Sequence, residues 1–295
     1  MHIVQVYHRP VPVKLYGGME RVIESLCEGF IEQGHQVSLI CFEGDYKIPG
    51  VNFLSLNKFS SEEANDKWIE LLPDNFDIVH FHLPMNQDNL NLPYVMTMHG
   101  NLQDTEDPSS LPKNSIFLTA DHARRHGRSD YVFNGLNPDT IPLRAGPRED
   151  YFSFLGRASL KRKGLHLAKK IARSHQKLLK VGGGRGLRWF GTKYLGHVDN
   201  EQKYDLLGKS KAFLFPILWE EPFGLVLIEA MFCGTPIWAL SRGSVPELLS
   251  GELLGKGFLH CSKLEELIEA SKTFSFDISP QDLSLIHISE PTRPY

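Results

Sequence analysis

The chain has 295 residues, of which 41% are hydrophobic and 23% charged, and its formal net charge is −3. Such a length favours two domains, and a charge so close to neutral gives no signature of a nucleic-acid-binding surface, so nucleic acid is excluded as an expected partner. There is no stretch of about 18 apolar residues, no signal-peptide pattern and no C-x-x-C pair, so we expect a cytoplasmic protein with reduced cysteines and no membrane-spanning helix.

The first half of the chain begins with a strand-loop-helix-strand pattern. An apolar strand is predicted over 2–7, and a loop containing Gly17 and Gly18 follows it. Apolar residues then recur at helical spacing over 22–30, and the next strand covers 37–41. This order, with glycines at the first turn, is typical of the start of a parallel, doubly wound sheet.

The first half continues as short strands with one helix among them. The strands are predicted over 51–56, 77–81, 94–98 and 116–118, and the helix over 62–72. The segment 134–147 contains three prolines and two glycines without hydrophobic periodicity, which is typical of a domain boundary. We therefore predict a first domain over 1–145 and a second over 146–282.

The second half restarts the same alternation of strands and helices. Strands are predicted over 151–155, 177–181, 212–217 and 237–240, and helices over 164–173, 201–207 and 263–272. Asn200 is the predicted N-cap of the helix at 201–207, and Ser244 that of a short helix with proline near its start. Two successive α/β units predict a ligand cleft between them, at the carboxyl ends of the strands.

The last residues do not continue this pattern. The segment Leu283–Arg293 resembles the translation of a transposase adapter used in DNA sequencing libraries. We therefore expect 283–295 to be adapter read-through, the natural chain to be cut near Asp282, and the second domain to be incomplete.

The stretch 219–236 holds two carboxylates at a predicted strand-to-helix turn. Glu221 lies at the turn, and Glu229, eight positions later, is the only charged residue between Pro222 and Ser241. Burying that charge is costly unless hydrogen-bond donors meet it. Phe223 and Gly224 lie at the helix start, where backbone amides and the helix dipole favour an anion such as phosphate; the alternative is an ordinary tight turn.

Two further places carry groups suited to binding. Arg157 and Lys163 lie across one loop after the strand at 151–155, where they would clamp a diphosphate; a solvated turn is the alternative. His99 ends a strand of the first half, where it would contact a sugar hydroxyl or transfer a proton, or serve only structure. His80 and His82 point to one face of a strand but lack a third ligand at suitable spacing, so we expect no metal site.

The basic run from Arg124 to Arg128 leaves the question of membrane contact open. It contains three arginines and a histidine. A solvated helix end and peripheral contact with anionic lipid are the two readings of such a run.

Together these residues resemble family 4 retaining glycosyltransferases of the GT-B fold (glycosyl transferases group 1). The matching motifs occur in the family's order over nearly the whole chain. They are Y-G-G-M-E-R (16–21), H-G-N (99–101), N-G (134–135), F-L-G-R…K-G (154–164), L-G-H-V (195–198), E-P-F-G-L-V-L-I-E-A-M-F-C-G-T-P (221–236) and R-G-S-V-P-E (242–247).

The resemblance implies an α/β fold of GT-B architecture, with two Rossmann-like doubly wound domains facing a cleft. The first would serve the acceptor, and the second would bind a nucleotide-diphosphate-sugar donor. Arg157 and Lys163 would neutralise the diphosphate, and the stretch Phe223-Gly224-Leu225 would offer amides to the phosphates and sugar. Glu229 would accept from the ribose hydroxyls, and Glu221 would hold hydroxyls of the transferred sugar.

In the first domain the resemblance implies that His99 contacts the sugar and that the Gly17-Gly18 loop faces the diphosphate and the acceptor. The implied activity is transfer of a hexose with retention, through an oxocarbenium-like transition state and without a metal or other cofactor. The acceptor would be a sugar, a lipid-linked glycan or a small molecule. The alternatives are a non-catalytic nucleotide-sugar-binding module and a nucleotide-sugar epimerase of the same fold.

Two places depart from the family pattern. The chain between Gly184 and Gly196 is short, so an element that shapes the base pocket is expected to be missing. The stretch 119–124 lacks the serine that the family often has there.

Overall fold

A computed structural model describes residues 1–14, 17–83, 91–103, 105–137, 140–143, 147–186, 191–251, 254–276 and 279. The chain divides into two compact units, Met1–Leu136 (unit 1) and Asn137–Tyr295 (unit 2). The division falls earlier than the predicted boundary after residue 145. The adapter-like segment 283–295 lies outside the described residues.

Unit 1 is built on a six-stranded parallel sheet with the order β3-β2-β1-β4-β5-β6. The strands are β1 (His2–Val11), β2 (Gln36–Glu43), β3 (Val51–Ser55), β4 (Ile78–Phe81), β5 (Tyr94–Thr97) and β6 (Ser115–Ile116). The helices are α1 (Gly18–Glu32), α2 (Ala64–Lys67) and α3 (Ala120–Arg125). Both faces of this sheet are covered by apolar side chains, because two buried clusters pack against it, one around Val4 and Phe81 and one around Tyr7 and Ile23.

Unit 2 repeats this strand order in its own sheet, β12-β11-β10-β7-β8-β9. Its strands are β7 (Tyr151–Leu155), β8 (Leu178–Gly182), β9 (Thr192–Gly196), β10 (Ala212–Phe215), β11 (Ile237–Leu240) and β12 (Phe258–Cys261). Its helices are α4 (Leu165–Ser174), α5 (Asn200–Gly208), α6 (Leu225–Phe232), α7 (Val245–Leu248) and α8 (Leu264–Thr273). All the strand pairs that the structure describes in the two sheets are parallel, as predicted.

In each unit, the strand order brings together the loop after the first strand and the loop after the fourth strand. In unit 2, β7 pairs with β10, so the loop after β7 lies beside the loop after β10 at the carboxyl edge of the sheet. In unit 1, β1 pairs with β4 in the same way. These are the positions at which strand order reverses, where open α/β sheets form their ligand sites.

The local predictions for the helix at 62–72 and for the start of α5 were wrong. The helix predicted over 62–72 is a single α-turn, Ala64–Lys67, followed by a 3₁₀ segment, Trp68–Leu71. The chain tightens where the buried Trp68 packs edge-on against Phe81, so tertiary packing overrides the helical periodicity. Asn200 is not a cap but the first helical residue of α5.

The cap of α5 is Asp199, which accepts from the Gln202 amide at 2.8 Å. The Gln202 side chain accepts in turn from the Asp199 amide, which completes a capping box.

The structure describes the state of the four cysteines and the lengths of the helices. Cys27, Cys41 and Cys233 are buried and Cys261 is partly buried, and all four are free thiols. Burial raises the pKa of the Cys41 thiol to about 12. Among the described helices, none is long and apolar enough to cross a bilayer.

Candidate active site

The centre of the site in unit 2 is the loop between β10 and α6. Gly224 has φ +90° and caps α6 in the left-handed conformation, which a residue with a Cβ adopts only at a cost. The first amides of a helix have no intrahelical acceptor and point along its axis. The predicted Phe223-Gly224-Leu225 stretch therefore forms a helix start that suits an anion.

Glu221 lies in this loop and is held by two donors on the same oxygen. Lys163 Nζ lies 3.1 Å from Glu221 Oε2, and the Trp219 indole Nε1–H donates to that oxygen at 3.0 Å. The backbone of Glu221 is fixed as well, because its carbonyl accepts from the Ser244 amide at 2.9 Å. Only 9% of Glu221 is exposed, so its carboxylate is an oriented group rather than a solvated one.

The loop after β7 brings Lys163, one of the two residues of the predicted diphosphate clamp, to Glu221. Lys163 ends a 3₁₀ turn, Lys161–Lys163, and Gly164 follows it with φ +75°. A Cβ on Gly164 would lie 1.8 Å from the Pro216 carbonyl oxygen, so the two loops touch backbone to backbone. Arg157 lies in the same loop with an exposed side chain.

Glu229 is the only charged residue of the apolar helix α6. It pairs with Lys203, a residue that the sequence did not single out. Lys203 of α5 donates to Glu229 Oε1 at 2.5 Å, and only 4% of Glu229 is exposed. Lys203 also donates to the Asn200 side chain at 2.9 Å. The available signal was the D-x-x-Q capping box at 199–202, which makes Lys203 the fourth residue of α5, whereas an Asn200 cap would make it the third.

The motif R-G-S-V-P-E supports the loop from the other side. Ser244 stands at the N-cap position of α7 but makes no side-chain cap, contrary to the prediction. Its hydroxyl instead donates to the Phe223 carbonyl at 2.6 Å. A Cβ on Gly243 would lie 2.3 Å from the Glu221 carbonyl oxygen, so this glycine permits the close approach.

In unit 1, the partly buried His99 contacts one of two buried histidines that lie side by side. His82 Nδ1 lies 2.9 Å from His99 Nε2, and His82 Nε2 lies 2.5 Å from Gln5 Oε1. The predicted common face of His80 and His82 is confirmed, since their rings are 4.2 Å apart. His80 contacts the Thr97 hydroxyl at 2.7 Å.

Burial sets the protonation of these three histidines. Desolvation lowers the pKa of His99 to about 3 and that of His80 to about 4, and it lowers the pKa of His82 well below its usual value. A neutral His82 that donates from Nε2 to Gln5 accepts at Nδ1, so His99 donates from Nε2. The His99 Nδ1 atom is then left as an acceptor. Within the described residues, no three side chains of the ligating types form a metal-binding group.

Helix α3 holds the loop that carries His99. His122 Nε2 donates to the Gly100 carbonyl at 3.0 Å, and the Leu102 amide donates to His126 Nε2 at 3.1 Å. Arg125 donates to the Asn101 side chain at 2.8 Å. Two imidazoles and a guanidinium therefore fix the loop, from a helix that overlaps the stretch 119–124.

The three arginines of the basic run each contact a neighbouring group of the protein. Arg124 and Arg125 both pair with Asp121, at 2.5 and 2.7 Å, and Arg128 donates to the Leu111 carbonyl at 2.9 Å. The Arg124 side chain remains 74% exposed.

The glycine loop of unit 1 stands at the start of α1. Gly17 is its N-cap, and a Cβ there would lie 2.4 Å from Glu20 Oε2 and 2.8 Å from a Val13 methyl. Glu20 accepts from the Tyr7 hydroxyl at 2.9 Å, and burial raises the pKa of Tyr7. Gly18 is the first helical residue, and Tyr16 of the same motif lies outside the described residues.

Sequence profiles agree with this arrangement in both units. Residues 16–134 match Glycosyltransferase Family 4, and residues 191–274 match Glycosyl transferases group 1. The chain belongs to glycosyltransferase family 4. The predicted family membership is thereby confirmed, and the motifs at 16–21 and 221–236 lie within the matched segments.

Curated relatives of this glycosyltransferase match along most of their length. The phosphatidyl-myo-inositol mannosyltransferase of Propionibacterium freudenreichii is 28% identical, over 91% of this chain and 85% of that protein. The O-antigen chain mannosyltransferase C of Escherichia coli is 24% identical, over 92% of this chain and 87% of that protein.

Solved structures confirm the GT-B fold of this glycosyltransferase. The glycosyltransferase AviGT4, involved in Avilamycin A biosynthesis, superposes with a TM-score of 0.73 at 18% identity, covering 96% of this chain and 92% of that one. Anabaena HepE in complex with UDP-glucose superposes with a TM-score of 0.66 at 15% identity, covering 97% and 94%.

Proposed function

We propose that this glycosyltransferase moves a hexose from a nucleoside-diphosphate sugar to a sugar or lipid-linked acceptor, with retention and without a metal. The observation that carries the proposal is the oriented Glu221 carboxylate, held by Lys163 and Trp219 beside the start of α6. The carboxylate can accept hydrogen bonds from sugar hydroxyls, and it lies next to backbone amides and cations that suit a diphosphate.

Each group of unit 2 then has its own task. Arg157, Lys163 and the amides of the α6 start would hold the diphosphate and stabilise its charge as it leaves, which is the task of a metal ion in other transferases. Glu221 would accept from hydroxyls of the transferred hexose. Glu229, with Lys203 already on Oε1, would accept from the ribose.

The groups of unit 1 would act on the sugar and the acceptor. The His99 Nδ1 atom would accept a hydrogen bond from a sugar hydroxyl, since its Nε2–H is engaged by His82. The carboxylate of Glu20 next to Gly17 favours acceptor hydroxyls over phosphate oxygens at the glycine loop. The mannosyltransferase names of several relatives favour mannose, and the lipid and O-antigen named in them favour a lipid-linked acceptor.

The test begins with a panel of donors. The purified protein is mixed with UDP-glucose, UDP-galactose or GDP-mannose and with sugar or lipid-linked acceptors, with and without EDTA, and thermal shift and nucleoside-diphosphate release are recorded. We expect one donor to raise the melting temperature and to be consumed equally in EDTA, and the product anomer, read by NMR, to match the donor. Binding without release across donors and lipid-linked acceptors would instead support a non-catalytic binding module.

Variants assign the roles within the site. Glu221→Ala should lose turnover while nucleotide binding largely survives, because its contact is made to the transferred sugar. Arg157→Ala should weaken donor binding and turnover together. Glu265→Ala, on the exposed side of α8, is the matched control and should match the wild type. Normal turnover in Glu221→Ala would refute the assignment.

A further inference from the structure

Trp219 contacts the site in two ways. Its indole Nε1–H donates to Glu221 Oε2 at 3.0 Å. Two cations lie close to its ring, with the Arg162 guanidinium carbon 4.7 Å and the Lys163 ammonium 4.8 Å from the ring centroid. Cations at this distance from an aromatic face are attracted by its quadrupole. The indole therefore links the carboxylate to the basic loop after β7.

The two oxygens of Glu221 have different environments. Lys163 and Trp219 both contact Oε2, and no described residue donates to Oε1. Two donors on one oxygen fix the plane of the carboxylate, because each hydrogen bond is directional. Oε1 is thereby presented at a fixed angle and is available to a hydroxyl of a ligand.

Of the two donors, Trp219 is the better anchor. The Lys163 ammonium is a point charge on a flexible four-carbon chain and is attracted to any nearby anion. A bound diphosphate therefore competes with Glu221 for Lys163. The Trp219 indole has only two side-chain torsions, and because it is neutral it is not drawn away from Glu221 by the charge of a diphosphate. Its backbone is tied on the preceding side, where the Leu218 amide donates to the Arg162 carbonyl at 2.8 Å.

We propose that Trp219 is a positioning residue that orients Glu221 toward the sugar of the donor. The inference rests on the proposed function, in which Glu221 accepts from the transferred hexose. Trp219 touches no reacting atom in this scheme. It holds Oε2 when Lys163 turns to the diphosphate, so that Oε1 keeps its direction.

The hydrogen bond itself is tested without any donor sugar. The protein has four tryptophans, so a ¹H–¹⁵N spectrum contains four indole resonances, and Trp219→Phe identifies the one from Trp219. We expect that resonance to shift in Glu221→Ala and to stay in place in the control Glu265→Ala. An unchanged Trp219 resonance in Glu221→Ala would overturn the proposal.

The positioning role is tested by comparing two affinities. The dissociation constants of GDP-mannose and GDP, or of UDP-glucose and UDP, are measured for each variant, and their ratio isolates the contribution of the sugar. Trp219→Phe keeps an aromatic ring for the two cations and removes the N–H together with the rest of the five-membered ring. We expect it to lower the sugar contribution about tenfold, the scale of one hydrogen bond to a charged group, while nucleoside-diphosphate affinity is unchanged.

A matched control is available in the same unit. The indole nitrogen of Trp238 is buried without a partner among the described residues, so Trp238→Phe removes an equivalent N–H that serves no acceptor there. We expect it to leave the sugar contribution unchanged. In the double variant Trp219→Phe/Glu221→Ala, the sugar contribution should equal that of Glu221→Ala alone.

The outcomes separate the two proposals. An unchanged sugar contribution in Trp219→Phe, or an equal loss for the nucleoside diphosphate alone, would overturn the role of Trp219 and leave the proposed function standing. A wild-type protein that binds no nucleoside-diphosphate sugar would overturn the proposed function, and the orienting role with it, even where the indole resonance reports the hydrogen bond.

Discussion

Gly164 provides a direct test of how the two loops of unit 2 meet. Gly164→Ala places a methyl group 1.8 Å from the Pro216 carbonyl oxygen and 2.7 Å from its carbonyl carbon. Gly196 has the same φ of +75°, but a Cβ there meets no described atom within 4 Å. Gly196→Ala therefore carries only the cost of a left-handed alanine, about 1 kcal/mol, whereas Gly164→Ala adds a backbone clash.

The clash sets the size of the expected difference. Forcing one extra carbon into a packed site costs about 1–3 kcal/mol. We therefore expect Gly164→Ala to lower the free energy of unfolding by about 2 kcal/mol more than Gly196→Ala. In a domain of this size, that corresponds to a melting temperature lower by about 4–8 °C.

The assay is thermal and urea unfolding of both variants beside the wild type. The clash also pushes apart the loops that carry Lys163 and Trp219, so Gly164→Ala should lose activity even well below its melting temperature, while Gly196→Ala should keep its activity at that temperature. Equal melting temperatures for the two variants would refute the backbone contact between Gly164 and Pro216 and the argument built on it.

The remaining predictions concern charge, pH and helix starts. Lys203→Met should cost about 3 kcal/mol of unfolding free energy in urea, since it removes the ammonium that pairs with the buried Glu229 carboxylate, and Lys203→Met/Glu229→Met should recover most of that loss; additive losses would contradict this. Burial lowers the pKa of His80 to about 4, below its unfolded value near 6.5, so the stability that the neutral ring provides is complete above pH 6.5 and declines as pH falls toward 4. His80→Gln should remove about 2 kcal/mol of the wild-type loss between pH 7 and 5, measured by urea unfolding, and an unchanged pH slope would count against it. Gly17→Ala should lower the melting temperature because its methyl meets a carboxylate, whereas Gly29→Ala, inside α1 with open space around it, should raise stability by about 0.5–1 kcal/mol; the reverse order would contradict the described loop.

The order of strands and helices was largely predictable from hydrophobic periodicity and glycine positions. The strands at 37–41 and 237–240 and the helices at 164–173 and 263–272 appear within a few residues of their predicted bounds. These elements are short and strongly patterned, and each buries one face or both. The helix predicted over 62–72 failed because Trp68 packs into the core and tightens the turn.

The motifs were sufficient to propose the candidate residues, but not to predict the contacts that those residues make. The motif at 221–236 gave Glu221, Glu229 and the helix start, and the loop after β7 gave Arg157 and Lys163. The lone charge on an apolar helix indicated that a donor must exist, but its identity was not available from the pattern. Lys203 reaches Glu229 across 26 positions, and only the packing of α5 against α6 makes them neighbours.

By itself, the sequence determined the alternation of strands and helices, the apolar faces and the positions of the motifs, because these depend on residues close together in the chain. The tertiary structure alone decided which groups meet. The pairing of β7 with β10 and of β1 with β4 brings loops distant in the chain to one edge of each sheet. Periodicity records which face of an element is buried, but not which strand lies beside it. The partners of Glu221, Glu229 and His99 are therefore properties of strand order and packing.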